Sequence, residues 1–169
     1  MLEKIVEPDG RLCKCGRRGC LETVASEKGI RQYVVEGLKS GRSSAVESMV
    51  FHQDYDEIDM DIIYRGCMLN DALCVEAVNK MAYYLGIALA NVINLFNPEM
   101  IVLEGSLINY EALFIEKVRQ TVRENVWKNS EVLILTNTSQ SKSNTAAMGG
   151  CIHVIEEILN GEIEIKGSD

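Results

Sequence analysis

Apolar residues recur at intervals of three and four positions along most of the chain, which is the spacing of one face of an α-helix. The first such pattern follows a cysteine-rich stretch and ends at Gly41. Its apolar positions are Leu21, Val24, Ile30, Val34 and Leu38. Residues 42–57 are polar and predict a loop with at most one short helix. The segment DEIDMDIIYRGC, residues 56–67, predicts a short helix that begins with an acidic turn.

The longest helical pattern begins after Asn70 or Asp71, either of which can cap it, and ends before Pro98. Its predicted buried stripe consists of Val75, Val78, Ala82, Leu85, Leu89, Val92 and Phe96. Three small residues on this helix predict a close approach of another backbone: Gly86, Ala88 and Ala90.

EMIVLEG (99–105), a short apolar run rich in branched residues and ended by glycine, predicts a buried strand, and EVLILTN (131–137) predicts another strand. A helix over residues 109–127 joins them, so the strands are expected to be parallel. A last helix is predicted over residues 145–159. The fold class is therefore α/β and rich in helix. Two strands are few for this much helix, so we expect the remaining strands to come from another chain or from sequence that is absent.

Composition limits the classes of protein that fit. A length of 169 residues suits one domain, and a net charge of −8 argues against a nucleic-acid surface over the whole domain. The pattern predicts no membrane span, and the charged start MLEKIVEPDG does not resemble a signal peptide. Six cysteines without a secretory signal predict a reducing, cytoplasmic location, where clustered thiols bind metal more often than they pair.

The stretch RLCKCGRRGCLETVAS, residues 11–26, places Cys13, Cys15 and Cys20 at C-x-C-x4-C spacing. Gly16 and Gly19 permit the turns that would fold three thiolates around one zinc ion. Three basic neighbours are expected to lower the thiol pKa values: Lys14, Arg17 and Arg18. Free thiols, or one disulfide with a spare cysteine, remain alternatives.

Other residues that zinc or catalysis could use have simpler explanations. His52 and His153 are distant from the cluster in sequence, and each is predicted to be structural or solvated. The remaining cysteines lie on helical patterns and are predicted to be small core residues; they are Cys67, Cys74 and Cys151.

The segment CKCGRRGCLE, residues 13–22, resembles the C-x-C-G-x-x-G-C-x-E signature of the ROK family of repressors and sugar kinases. LGIALANVINLFNPEMIVLEGSL (85–107) is similar to that family's long helix, its asparagine-proline stop and the following strand. SNTAAMGGCIHVIEEIL (143–159) is similar to its last helix. The resemblance runs in order over residues 5–159.

The resemblance implies a fold of the actin-like ATPase (ribonuclease H-like) type, of which residues 1–169 would be one domain, the C-terminal sugar-binding and dimerisation half. A zinc knuckle would occupy residues 11–22, with Cys13, Cys15 and Cys20 as ligands. Glu22 corresponds to a carboxylate that hydrogen-bonds the sugar. Without the resemblance, Glu22 is a glutamate favoured by the dipole at a helix start.

The chain departs from the family pattern in three respects. Glu3 stands where the family carries a zinc-binding histidine, so Glu3 is the candidate fourth ligand. The family's phosphate loop and catalytic aspartate have no counterpart here, so no catalytic residue is predicted. Kinases of the family usually have two glycines after the strand, and Glu104 occupies the first of these two positions, where its charge would repel phosphate and favours a member that has lost ATP use. A solvent-facing residue at a strand end is the alternative. Gly105 and Gly149 would contact ATP and magnesium only if a nucleotide binds.

The favoured hypothesis is the sugar-binding and dimer-forming portion of a ROK-type repressor of a sugar-utilisation operon, in which DNA is contacted through a missing N-terminal domain. The alternative is the C-terminal half of an ATP-dependent sugar kinase, similar to glucokinase and inactive without its other half. A third hypothesis makes the knuckle a nucleic-acid-binding element, through four basic residues: Arg11, Lys14, Arg17 and Arg18. The acidic remainder of the chain disfavours it.

Overall fold

A computed structural model describes residues 4–127, 132–136, 153, 156, 157 and 160. Its α-helices are α1 Glu27–Lys39, α2 Met60–Met68, α3 Ala72–Phe96 and α4 Ile115–Asn125, and its strands are β1 Met100–Leu103 and β2 Leu133–Thr136. Short 3₁₀ helices cover Leu21–Thr23, Ala45–Met49, Phe51–Gln53, Tyr55–Glu57 and Ser106–Leu113. The chain divides into two compact units, Met1–Asn137 and Thr138–Asp169. That residues 1–169 form one domain stays a prediction.

Polar side chains set where the helices begin. Ser26 accepts a hydrogen bond from the Gly29 backbone amide (3.1 Å), so α1 begins later than the apolar pattern predicts. Asp59 caps α2, and Asp71 caps α3 as predicted, accepting from the Cys74 amide at 3.0 Å. Asn97, in the left-handed conformation (φ 42°), ends α3 just before Pro98.

The core is built around α3, which packs against α1, α2 and α4. Its buried face is wider than the predicted stripe and is rotated by about one residue. It includes Leu73, Cys74, Ala77, Met81, Gly86, Ala88, Ala90 and Ile93. Phe96, predicted to be buried, is 74% exposed. With 25 residues, α3 is long and apolar enough to cross a membrane, contrary to expectation, but half of its most apolar window is buried within the fold, as in a core helix.

Gly86 brings α3 close to α4, as its small side chain predicts. A Cβ atom at Gly86 would lie 2.6 Å from the Thr121 Cβ and 3.2 Å from the Val118 carbonyl oxygen. Gly37 in α1 differs, because its added Cβ would meet the flexible end of Leu73 at 2.6 Å. The tight contact at Gly86 is therefore with atoms that cannot rotate away.

We expect Gly86→Ala to lower the free energy of unfolding by about 1–3 kcal/mol, because overpacking outweighs the gain in helix propensity. Gly37→Ala is the matched control and should cost clearly less, since Leu73 can adjust. Urea denaturation of the three proteins measures both values. Equal stability of the two variants would contradict the account of the α3–α4 contact.

Strands β1 and β2 form a parallel pair in which Met100 lies opposite Leu133 and Leu103 opposite Thr136. Parallel pairing is as predicted. The prediction that β1 is buried is wrong for the described residues, because Met100 and Val102 are each 52% exposed. Exposure alternates along β1, so that Ile101 and Leu103 are partly buried where Met100 and Val102 are not. The predicted last helix lies mostly outside the described residues, although His153, Glu156 and Glu157 are helical.

Candidate functional site

The cysteine-rich stretch folds into a short hairpin. Leu12 and Arg18 form an antiparallel bridge, and the Cys13 amide donates to the Arg17 carbonyl at 2.7 Å. Gly16 and Gly19 have φ values of +86° and +65°, which a residue with a Cβ rarely adopts. These turns bring the cysteine side chains to one side.

The sulfur atoms of Cys13, Cys15 and Cys20 all lie within 4.8 Å of one another, and the Cys15 and Cys20 sulfurs are 3.5 Å apart. Four ligands at about 2.3 Å around a tetrahedral zinc ion are about 3.8 Å apart, so the three thiols fit such an ion. All three are free thiols, which disfavours the disulfide alternative. Glu3, the candidate fourth ligand, lies outside the described residues.

The thiols differ in their acidity. Hydrogen bonds from the backbone and side chain of Arg17 lower the pKa of Cys15 to about 7, as the basic neighbours predicted. Burial raises the pKa of Cys20 to about 12, contrary to that prediction, because Cys20 is fully inaccessible to solvent. A cation would therefore find one thiolate formed near neutral pH and would displace a proton from Cys20.

Glu22 lies in the 3₁₀ turn Leu21–Thr23, immediately after the cluster. Its side chain is 30% exposed, and one carboxylate oxygen is 3.7 Å from the Lys14 ammonium. The carboxylate borders a depression of about 190 Å³, which Cys13, Ser26 and Gln32 also line. The structure thus brings the predicted sugar contact next to the predicted metal ligands.

Arg11 joins the hairpin to α1, a contact that the sequence did not predict. Its guanidinium donates to the Glu36 carboxylate at 2.8 Å and to the carbonyl oxygens of Thr23 (3.2 Å) and Gly29 (3.3 Å). These contacts engage the side chain within the fold, which further disfavours the nucleic-acid hypothesis.

A second polar group, also missed from the sequence, ties residue 7 to α3. The Glu7 carboxylate forms an ion pair with the Lys80 ammonium (2.8 Å) and accepts a hydrogen bond from the Tyr84 hydroxyl (3.1 Å). Nearby, Glu76 accepts from Arg42 at 2.6 Å and from the Tyr33 hydroxyl. The only sequence signal for this group is that Glu76 and Lys80 are charged residues within the otherwise apolar pattern of α3.

The remaining candidates lie elsewhere. Gly105 follows β1 with φ +125°, and a Cβ there would meet no atom of the described residues within 4 Å, so those residues leave its backbone open to approach. Gly149 lies outside the described residues, as does Cys151. His52 and His153 are exposed, and Cys67 and Cys74 are buried free thiols, as predicted.

Comparison with known proteins gives a family match over most of the chain. A family model described as ROK family matches residues 4–157. The xylose repressor of Caldicellulosiruptor bescii is 27% identical over 149 residues, which are 88% of this chain and 37% of the repressor. The transcriptional dual regulator NagC of Escherichia coli is 30% identical over 159 residues, 92% and 36% of the two chains. The glucokinase of Halalkalibacterium halodurans is 33% identical over 119 residues, which are 69% of this chain and 34% of the glucokinase.

Two solved structures share the fold. A ROK family transcriptional regulator, described as a homolog of the E. coli MLC protein, matches with a TM-score of 0.68 and 32% identity, over 80% of this chain and 33% of that chain. A ROK family glucokinase from Streptomyces griseus, in complex with glucose and AMPPNP, matches with a TM-score of 0.69 and 23% identity, over 80% and 45%. The expected helix-rich α/β fold is thereby confirmed. The chain spans about a third of the length of the curated relatives it matches.

Proposed function

Because the chain belongs to the ROK family, we propose that it is the sugar-binding and dimer-forming part of a transcriptional repressor of sugar-utilisation genes. The observation that carries the proposal is the position of Glu22, which borders a depression beside the three clustered cysteines. An ionised carboxylate accepts strong hydrogen bonds from sugar hydroxyls, and it can fix the orientation of a bound ring.

Cys13, Cys15 and Cys20 would hold a structural zinc ion, with Glu3 as the candidate fourth ligand. Zinc in such a site stabilises the fold around it and takes no part in a reaction. Here it would fix the hairpin from which the turn Leu21–Thr23 continues. The metal would therefore act on sugar binding by holding Glu22 in place.

A repressor of this kind responds to sugar because the sugar binds two dimer arrangements with different affinity. DNA contacts belong to other parts of the full-length protein in this proposal, and a cytoplasmic location goes with it. Repressor relatives support the assignment, since they align with 88% and 92% of this chain, against 69% for the glucokinase. Glu104, in a place that kinases of the family usually fill with glycine, also supports it.

The second candidate is the C-terminal half of an ATP-dependent sugar kinase. The identity of 33% to a glucokinase and the open backbone at Gly105 favour it. ATP with magnesium would then lie near Gly105, and a carboxylate base from another part of the protein would be needed. Measurement of ADP release by the full-length protein with glucose separates the two: steady turnover supports the kinase, and a sugar-dependent change in DNA affinity without turnover supports the repressor.

We expect Glu22→Gln to weaken sugar binding about tenfold or more, because a hydrogen bond to a charged group contributes about 1.5–3 kcal/mol. Calorimetric titration of D-xylose, D-glucose and N-acetylglucosamine measures the affinity. Glu27→Gln, a carboxylate five positions along, is the matched control and should bind like the wild type. Undiminished affinity in Glu22→Gln would contradict the role of Glu22, and absence of binding by the wild type would contradict the proposed function.

A further inference from the structure

We propose that Arg11 is a positioning residue: it holds the turn that carries Glu22 against the cysteine hairpin, and it thereby couples metal binding at the cysteines to sugar binding at Glu22. The proposal deepens the sugar-binding role proposed above and rests on it for the sugar half of the coupling. The claim that Arg11 links the hairpin to the turn does not depend on sugar binding, because it rests on the contacts of Arg11 itself.

The side chain of Arg11 reaches the turn directly. One terminal nitrogen donates to the carbonyl oxygen of Thr23, the residue after Glu22, and to that of Gly29 in the first turn of α1. The other nitrogens donate to the two oxygens of Glu36 at 2.8–3.2 Å. The Arg11 side chain is only 21% exposed. Because the planar guanidinium binds three partners at once, it fixes both the distance and the orientation of the turn relative to α1.

The backbone of Arg11 belongs to the hairpin. Its carbonyl oxygen accepts from the Gly19 amide at 2.9 Å, and the next residue, Leu12, forms the bridge to Arg18. Cys13 follows two positions along. A change in the hairpin on loading or loss of the metal therefore moves the backbone of Arg11, and its guanidinium transmits that change to the turn.

The charge of Arg11 is matched by Glu36 rather than left for a ligand. Partial burial would raise the pKa of Glu36, but the hydrogen bonds and charge of Arg11 lower it below its usual value. Glu36 is thus ionised at neutral pH. Although Arg11 also lines the depression beside Glu22, its function is one of geometry. A lysine keeps the charge and loses the fork, so Arg11→Lys isolates the geometric part.

The first measurement needs no sugar. Amide hydrogen exchange of residues 23–25, whose amides bond to the carbonyls of Cys20 and Leu21, reports how firmly the turn is held. In the zinc-loaded chain we expect Arg11→Lys to exchange there about tenfold faster, the factor for one hydrogen bond to a charged group. Glu36→Gln, at a half-exposed carboxylate, is a milder second variant and should act in the same direction. Arg119→Lys is the matched control, since Arg119 also bridges a carboxylate (Glu116, 2.6 Å) and a carbonyl (Ile134, 3.2 Å).

The second measurement is the affinity for D-xylose, D-glucose and N-acetylglucosamine with zinc bound and after chelation. In the wild type we expect removal of zinc to weaken binding about fivefold or more, a typical coupling between two sites. The zinc ratio is the dissociation constant for the sugar after chelation divided by that with zinc bound. It should fall towards one in Arg11→Lys and stay unchanged in Arg119→Lys. A role in stability alone would lower the melting temperature and leave the ratio as it is.

Wild-type exchange rates in both Arg11→Lys and Glu36→Gln would overturn the proposal, and so would an undiminished zinc ratio in Arg11→Lys. If the wild type binds none of the three sugars in either metal state, the proposed sugar-binding function fails. The exchange measurement still decides in that case whether Arg11 holds the turn, so the two failures are distinguishable.

Discussion

Gly19→Ala is expected to prevent formation of the cysteine hairpin and to abolish its binding of zinc. A Cβ atom at this position would lie 1.5 Å from the carbonyl oxygen of Glu7 and 2.3 Å from its carbonyl carbon. Both are backbone atoms, and Gly19 also has a φ of +65°. The chain would have to move apart by more than 1 Å, which breaks the hydrogen bonds from the Val6 and Glu7 amides to the Gly19 carbonyl (2.8 and 3.1 Å).

We expect this variant to lose about 4 kcal/mol or more of stability, the range of the most damaging single substitutions. Gly16→Ala is the matched control, because Gly16 also has a positive φ (+86°) but an added Cβ there would meet nothing within 4 Å in the part of the chain that the structure describes. Its free energy of unfolding should fall by only about 1–2 kcal/mol, the cost of the left-handed conformation for alanine, and its zinc binding should be retained. Zinc stoichiometry and urea denaturation test the pair. Full zinc loading of Gly19→Ala would contradict the close approach of Glu7.

Local signals in the sequence predicted that α1 to α4 exist, because each has a local cause, but they missed that residues 45–57 form three short 3₁₀ helices and that a 3₁₀ helix precedes α4. Asp71 and Asn97 set the ends of α3 by hydrogen bonds and backbone conformation within a few residues. The start of α1 was placed too early because Leu21 and Val24 are buried, yet they precede the cap at Ser26. Apolar spacing reports burial, and buried residues just before a helix satisfy the same spacing.

The environment of β1 depends on what packs against it, and the sequence of a strand does not contain that information. MIVL has the composition of a buried strand, yet two of its side chains are half exposed. Only one neighbouring strand, β2, lies in the described part of the chain. The same limit applies to α3: Gly86 lies in its buried face against Thr121 of α4, whereas Leu85 and Val92 of the predicted stripe are only partly buried.

The site was predictable where its chemistry is local. The spacing of the cysteines and the two glycines predicted a cluster, and the structure brings the three thiols together. Glu22 was selected by resemblance to the family and not by any physical signal of its own. Arg11 could not have been found, because its partners are a carboxylate 25 positions away and two backbone carbonyls, which no residue type encodes.

Cys20→Ser is expected to reduce zinc affinity by more than about 100-fold, since loss of a group that only orients a ligand already costs 10–100-fold. Cys20 is fully buried and lies 3.5 Å from Cys15 in the cluster, so no other thiol of the hairpin can take its place. A serine hydroxyl does not ionise at neutral pH and is a poor ligand for zinc. Because binding of a structural metal contributes to folding, the zinc-dependent part of the stability should disappear with it.

Cys67→Ser provides the control for this experiment. Cys67 is another buried free thiol, 8% exposed, and burial raises its pKa to about 11. The substitution buries a hydroxyl in the core and should cost about 1–3 kcal/mol without changing zinc affinity. Competition with a zinc chelator gives the affinities, and denaturation with and without zinc gives the stabilities. Equal loss of zinc in the two variants would mean that the metal follows general unfolding, and the hairpin would then have no metal site of its own.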